Sequence, residues 1–273
     1  MSRAGIVGFL ALLAIACAPL PAHSEFAAAI SPPRFELEVA AGQTQHSVLE
    51  IAHVGSTPGQ YRVYTADWTM SAGGDLSFAV DLAQDSCRPW VAIEKRTVTI
   101  GAASKLRFRF EVSPPADAAP VECRFALMIE GVDEPAGGGA AGFPMSGRIA
   151  VIVYARVGDV KPDLHIDEML TAKVDGRDVP ALRVTNVGRA TGRFVGFLGA
   201  RDVTGRYVDL APDGLPLLPG MTRVVGLLPV APVDRPDDPP PKLDAWPVAV
   251  KGSLEIGGQA GVRIPVEQVF KAP

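Results

Sequence analysis

Apolar and polar residues alternate along this chain with a period of two over most of its length. In Lys105-Leu-Arg-Phe-Arg-Phe-Glu-Val112 the charged residues hold one parity and Leu106, Phe108, Phe110 and Val112 the other. Such alternation predicts a strand with one face in a core and one in water. Comparable runs cover 30–39, 47–53, 61–68, 76–80, 91–100, 121–130 and 147–156, with glycine, proline and Ala-Asp punctuation between them. In the first of these, after Pro32-Pro33, Phe35, Leu37 and Val39 point one way while Arg34, Glu36 and Glu38 point the other, the pattern of an edge or half-exposed strand. Nothing before Gly147 has helical period, so the economical fold is an antiparallel β-sandwich.

A joint at 157–163, holding Gly158, Lys161 and Pro162, separates this series from a second one at 165–174, 179–186, 192–201, 205–210, 222–230, 248–256 and 262–270. The segment 231–247 is proline-rich and acidic, a stiff extended connection. The pattern therefore predicts an all-β chain of two tandem β-sandwich domains, 25–158 and 159–273.

The run from Gly147 to Arg156 is rich in β-branched residues and too short to cross a membrane. It is entered through the glycine-rich stretch 136–146. Phe143, Met145, Ile149, Val151 and Val153 share one parity, so an extended backbone lines them up in one apolar row. Two readings stay open on spacing alone: a core strand entered by a loop, or a row whose upstream end projects past its own sheet.

The first residues change the setting. Ser2-Arg3, an apolar run from Ile6 to Cys17 and small residues at Ala22 and Ser24 read as a secretory signal peptide, 1–24, cleaved after Ser24. Cys17 in Ala14-Ile-Ala-Cys17 offers a lipoprotein reading as the rival; either implies export. Removing 24 of the 273 residues leaves 249, and the loss of Arg3 takes the formal net charge from −4 to −5. That balance predicts no nucleic-acid partner and no binding to anionic lipid, and no later segment is long and apolar enough to insert in a membrane. Cys87 and Cys123 remain, and in an oxidising compartment a lone pair defaults to a disulfide. His46, His53 and His165 lack metal-ligand spacing, no cofactor is expected, and no nucleophile elbow, phosphate loop or zinc-protease helix is present. Asp163, His165 and Asp167 share a parity but read as a solvated face, so the chain is not expected to be an enzyme.

Several segments resemble the PapD-like periplasmic chaperones of pilus assembly: Ile30-Ser-Pro-Pro-Arg-Phe-Glu-Leu37, Glu122-Cys-Arg-Phe-Ala-Leu-Met-Ile129, Val151-Ile-Val-Tyr-Ala-Arg156, Leu182-Arg-Val-Thr-Asn-Val-Gly-Arg189 and Leu217-Leu-Pro-Gly220. The resemblance implies two immunoglobulin-like domains and a periplasmic protein that binds pilus or fimbrial subunits by donor-strand complementation and delivers them to an outer-membrane usher. It implies a donor strand carrying Phe143, Met145, Ile149, Val151 and Val153, and Arg34 as an anchor for the subunit's terminal carboxylate. The family's second cation, a lysine, is replaced here by Ile152, leaving Arg148 or Lys161 as substitutes. It further implies an ion network of Glu122, Arg156 and Asp244 across the joint. An exposed apolar strand also invites self-association through the donor edge. The alternative reading is an exported two-domain β-sandwich that serves as a binding or structural module not dedicated to pilins.

Overall fold

The structure, a computed structural model, describes residues 27–132, 147–232, 234–257, 259 and 261–272. The expected signal peptide with Cys17, and Phe143 and Met145 of the expected donor row, lie outside the described residues. Up to the joint the strands are β1 (Ala28–Ser31), β2 (Arg34–Val39), β3 (Gln45–His53), β4 (Gly59–Met70), β5 (Leu76–Ala79), β6 (Val91–Ile93), β7 (Thr97–Ile100), β8 (Lys105–Val112), β9 (Val121–Gly131) and β10 (Arg148–Val157). One sheet runs β1-β3-β8-β6 and the other β2-β10-β9-β4-β5, with β7 also on β4. The alternation read from the sequence delivers one parity of each strand to the space between them. Leu49, Phe108 and Phe110 from one sheet meet Phe125, Leu127, Ile129, Val151 and Val153 from the other. A disulfide joins Cys87 to Cys123 on β9, with Cα atoms 5.8 Å apart.

The 30–39 run, expected as a single strand, divides at Pro32-Pro33. β1 pairs antiparallel with β3 in one sheet, whereas β2 pairs parallel with β10 in the other. Two consecutive residues without an N–H cannot carry a ladder forward, so the chain changes sheets there. The 91–100 run divides likewise, β6 pairing with β8 and β7 with β4. The core-facing parity flips at both changes, from Ala28 and Ile30 to Phe35 and Leu37, and from Val91 and Ile93 to Val98 and Ile100, so each run holds two strands of opposite phase.

The second half holds β11 (Leu164–Val174), β12 (Arg177–Asn186), β13 (Phe194–Val195), β14 (Leu198–Arg201), β15 (Tyr207–Pro212), β16 (Thr222–Pro229), β17 (Val248–Ile256) and β18 (Arg263–Phe270). The order is β11-β12-β16-β15-β14-β17-β13, with β18 on β17. β16 belongs to both layers: Thr222 to Gly226 pair with β12, and Leu227 to Pro229 with β15. Leu182 and Val184 of one layer pack with Leu198, Leu210, Val250 and Leu254 of the other. The described residues are thus all-β, two sandwiches in tandem.

Asn186 ties the joint to the second sandwich. Its buried side chain accepts from the N–H groups of Asp163 (3.2 Å) and Gly188 (3.0 Å) and donates to the carbonyls of Ala190 and Leu217, both at 2.8 Å. All its principal bonding capacity is met, as burial of an amide requires. A Cβ at residue 188 would stand 2.4 Å from the Asp163 nitrogen and 2.5 Å from the Lys161 carbonyl oxygen, so only glycine allows this approach. The Asn-Val-Gly signal in the sequence is therefore a clasp on the joint.

Candidate functional site

β10 is flanked differently along its length. On one side β9 accompanies it throughout, from Arg148 opposite Glu130 to Val157 opposite Val121. On the other, β2 accompanies it only from Ile152, opposite Arg34, to Val157, opposite Val39. Residues 148–151 consequently have no strand on that side among the described residues, because the chain preceding Arg34 has left for the other sheet at the proline pair. Unpaired backbone N–H and C=O groups of such an edge are a template for another strand. Val151 and Val153 are fully buried in their own core and Ile149 partly so, while Phe143 and Met145 precede the described part of this row.

The even-numbered residues of β10 face the other way, toward the second half. Ile152 and Tyr154 join Trp68, Met70, Ala126 and Met128 in an apolar cluster that Leu218 and Met221 of the second half close. The Tyr154 ring lies edge-on to Trp68, centroids 5.8 Å apart. Burial raises the pKa of the Tyr154 phenol against the opposing pull of the Arg193 charge, so its hydroxyl stays neutral.

Beside this cluster lies a chain of ion pairs. Arg34 Nε is 3.1 Å from Glu36 Oε1, and Arg193 Nη1, from the second half, donates to the same oxygen at 3.1 Å. Arg193 Nη2 donates to the Tyr154 hydroxyl at 3.2 Å, and its guanidinium lies 5.4 Å from the centre of that ring. Arg156 is 3.9 Å from Glu36 Oε2 and 3.4 Å from Glu122 Oε2. The fully buried Glu122 carboxylate also accepts from the Thr191 N–H (2.8 Å) and from the Thr191 hydroxyl, and Arg156 donates to the Thr191 carbonyl at 3.3 Å. Satisfied in this way, a buried carboxylate specifies one relative placement of the two halves more than it adds stability.

The expected site residues fall into separate places. Arg34 is half-exposed at the start of β2, with Ile152 directly beside it in register. Arg148 lies four residues up the strand, roughly 13 Å away, against Tyr64 and Glu130. Lys161 lies past the far end of the β2–β10 pairing and forms an exposed pair with Asp159 at 2.8 Å. Neither reaches Arg34. Asp244 needs correction as a member of the network with Glu122 and Arg156: it is exposed in the proline-rich connection and pairs with neither, its expected place being taken by Thr191 and Glu36. Asp163 and His165 pair in solvent at 3.1 Å, while a bulge between Ile166 and Glu168 leaves Asp167 to accept from Thr185.

Thr191 and Arg193 were missed by sequence reasoning. Their only signal was the polar row Arg189, Thr191, Arg193 running on from the Asn-Val-Gly clasp. The first of these also reaches across, its guanidinium donating to the Pro120 carbonyl.

No protein-family model matches the chain, and no curated protein does. Among solved structures, the YadV chaperone is similar over 89% of this chain and 98% of its own, at 12% identity and a TM-score of 0.47. The class 5 fimbriae chaperone CfaA is similar over 90% and 99%, at 12% identity and 0.48. The likeness is one of fold. The E. coli chaperone DraB matches over 91% of this chain and 96% of its own, at 12% identity and 0.44. What the cleft can hold follows from its own residues.

Proposed function

We propose that this protein is a periplasmic chaperone of fimbrial assembly, with domains at 25–158 and 159–273, that lends the upstream part of β10 to an incomplete subunit and hands that subunit to an outer-membrane usher. The observation that carries the reading is the free side of residues 148–151, on a strand whose apolar row continues by parity to Met145 and Phe143. An unfinished sheet docking there gains main-chain hydrogen bonds from the edge and register from the alternate side chains.

Arg34 stands at the downstream limit of the free edge, where β2 begins. A chain added alongside 148–151 ends against it. Its ion pair with Glu36 is solvent-exposed, of a kind worth under about 1 kcal/mol, so the guanidinium is available to an incoming carboxylate. Co-expression with subunits encoded in the same genomic neighbourhood, followed by purification from the periplasm, tests the reading: we expect a stable one-to-one complex. Arg34→Ala should lower its yield roughly tenfold, the loss of one charge-assisted contact. If no neighbouring subunit co-purifies and the protein instead holds an unrelated ligand, the exported binding-module reading takes its place.

A further inference from the structure

We propose that Arg193, from the second half, is the second cation of the carboxylate site, and that Glu36 fills this site while no subunit is bound. The inference rests on the chaperone reading and deepens it. Next to residues 148–151 the first half places Arg34, whose neighbour in register is the apolar Ile152, while Arg156 stands 3.9 Å from the other oxygen of Glu36. Arg193 supplies another cation. Arg34 Nε and Arg193 Nη1 converge at 3.1 Å each on a single oxygen, Glu36 Oε1, so their spacing already fits one carboxylate.

Arg193 is also held for the task. Its other terminal nitrogen is bonded to the Tyr154 hydroxyl, its plane rests by the ring, and its side chain is 16% exposed against 49% for Arg34. A guanidinium fixed before binding loses little freedom on taking a ligand. The charges favour a further anion. Arg34, Arg124, Arg156 and Arg193 are linked through only two carboxylates, those of Glu36 and Glu122. Glu36 can release Arg34 and Arg193 from Oε1 while Oε2 stays toward Arg156. An incoming carboxylate thus exchanges with an internal one, and the exchange reaches the second half through Arg193.

Isothermal titration of the full chain with a short peptide of alternating valine and threonine, as the free acid and as the C-terminal amide, tests this. Wild type should prefer the acid. Arg193→Ala should abolish the preference as fully as Arg34→Ala, a change of roughly tenfold. Glu36→Gln should tighten acid binding several-fold, leaving the amide unchanged. A preference lost in Arg34→Ala but intact in Arg193→Ala, with acid binding no tighter in Glu36→Gln, overturns this inference and leaves the chaperone reading standing. The absence of any acid preference in wild type overturns both. If Arg193→Ala does not fold, Glu36→Gln at its partly exposed position decides alone, and unchanged or weaker acid binding in that variant rejects the proposal.

Discussion

The two ends of β10 share one alternation of inward apolar residues, yet they differ in what surrounds them. Downstream of Ile152 the strand has a neighbour on each side, and Tyr154 and Arg156 engage the second half. Upstream of it the inward side chain Val151 is just as buried, but one side of the backbone has no strand among the described residues. Openness here is therefore a property of the partner strand. β2 starts too late to cover residues 148–151, so whether that stretch is flanked is set on a different segment from its own.

Stability measurements can break or sharpen this contrast. The largest loss should come from replacing Cys87 and Cys123 by serine, since Cys123 stands opposite Ala155 at the downstream end; we expect about 4 kcal/mol in urea unfolding. Glu122→Ala should cost about 3 kcal/mol by removing the acceptor of the Thr191 N–H and one of the partners of Arg156. Val153→Thr buries a hydroxyl between Phe35 and Phe125 and should cost about 2 kcal/mol. Ile149→Thr should cost less than about 1 kcal/mol, its side chain being only partly buried, while it weakens subunit capture. Equal losses for the two threonine variants would erase the difference between the ends. The smallest effect concerns Glu130, opposite Arg148, whose pKa is lowered chiefly by its hydrogen bond from Arg62. A depressed carboxylate stabilises the fold above its unfolded pKa and loses that contribution as pH falls through its folded pKa. Glu130→Gln should thus cost a few tenths of a kcal/mol at neutral pH and nothing in strong acid.

Most strands were legible because alternation is local: Lys105–Val112 and Val248–Ile256 are bounded as their patterns predict. What was not legible is where a run changes sheets. Residues 30–39 and 91–100 each read as one strand and each form two, the shift of buried parity from Ile30 to Phe35 and from Ile93 to Val98 being hidden by the polar residues between; residues 192–201 also divide, into β13 and β14, although both pair with β17. The cleft was legible in part. Arg34 stands out as a charge at the start of a strand, and Glu122 and Arg156, read as partners through a family likeness, do form an ion pair. Arg193 carries no such mark. Its role depends on the second half folding back so that a residue far along the chain meets Glu36 and Tyr154, and nothing in its immediate neighbours encodes that meeting.

Pro32 and Pro33 have a wider consequence. Were the chain able to run straight through them in the register that sets Ile152 beside Arg34, residues 30–33 would lie alongside 148–151. By diverting residues 28–31 to the opposite layer, two rings without an amide hydrogen leave 148–151 one strand short among the described residues. The vacancy is built by the first strands of the fold, long before the segment that exploits it is reached.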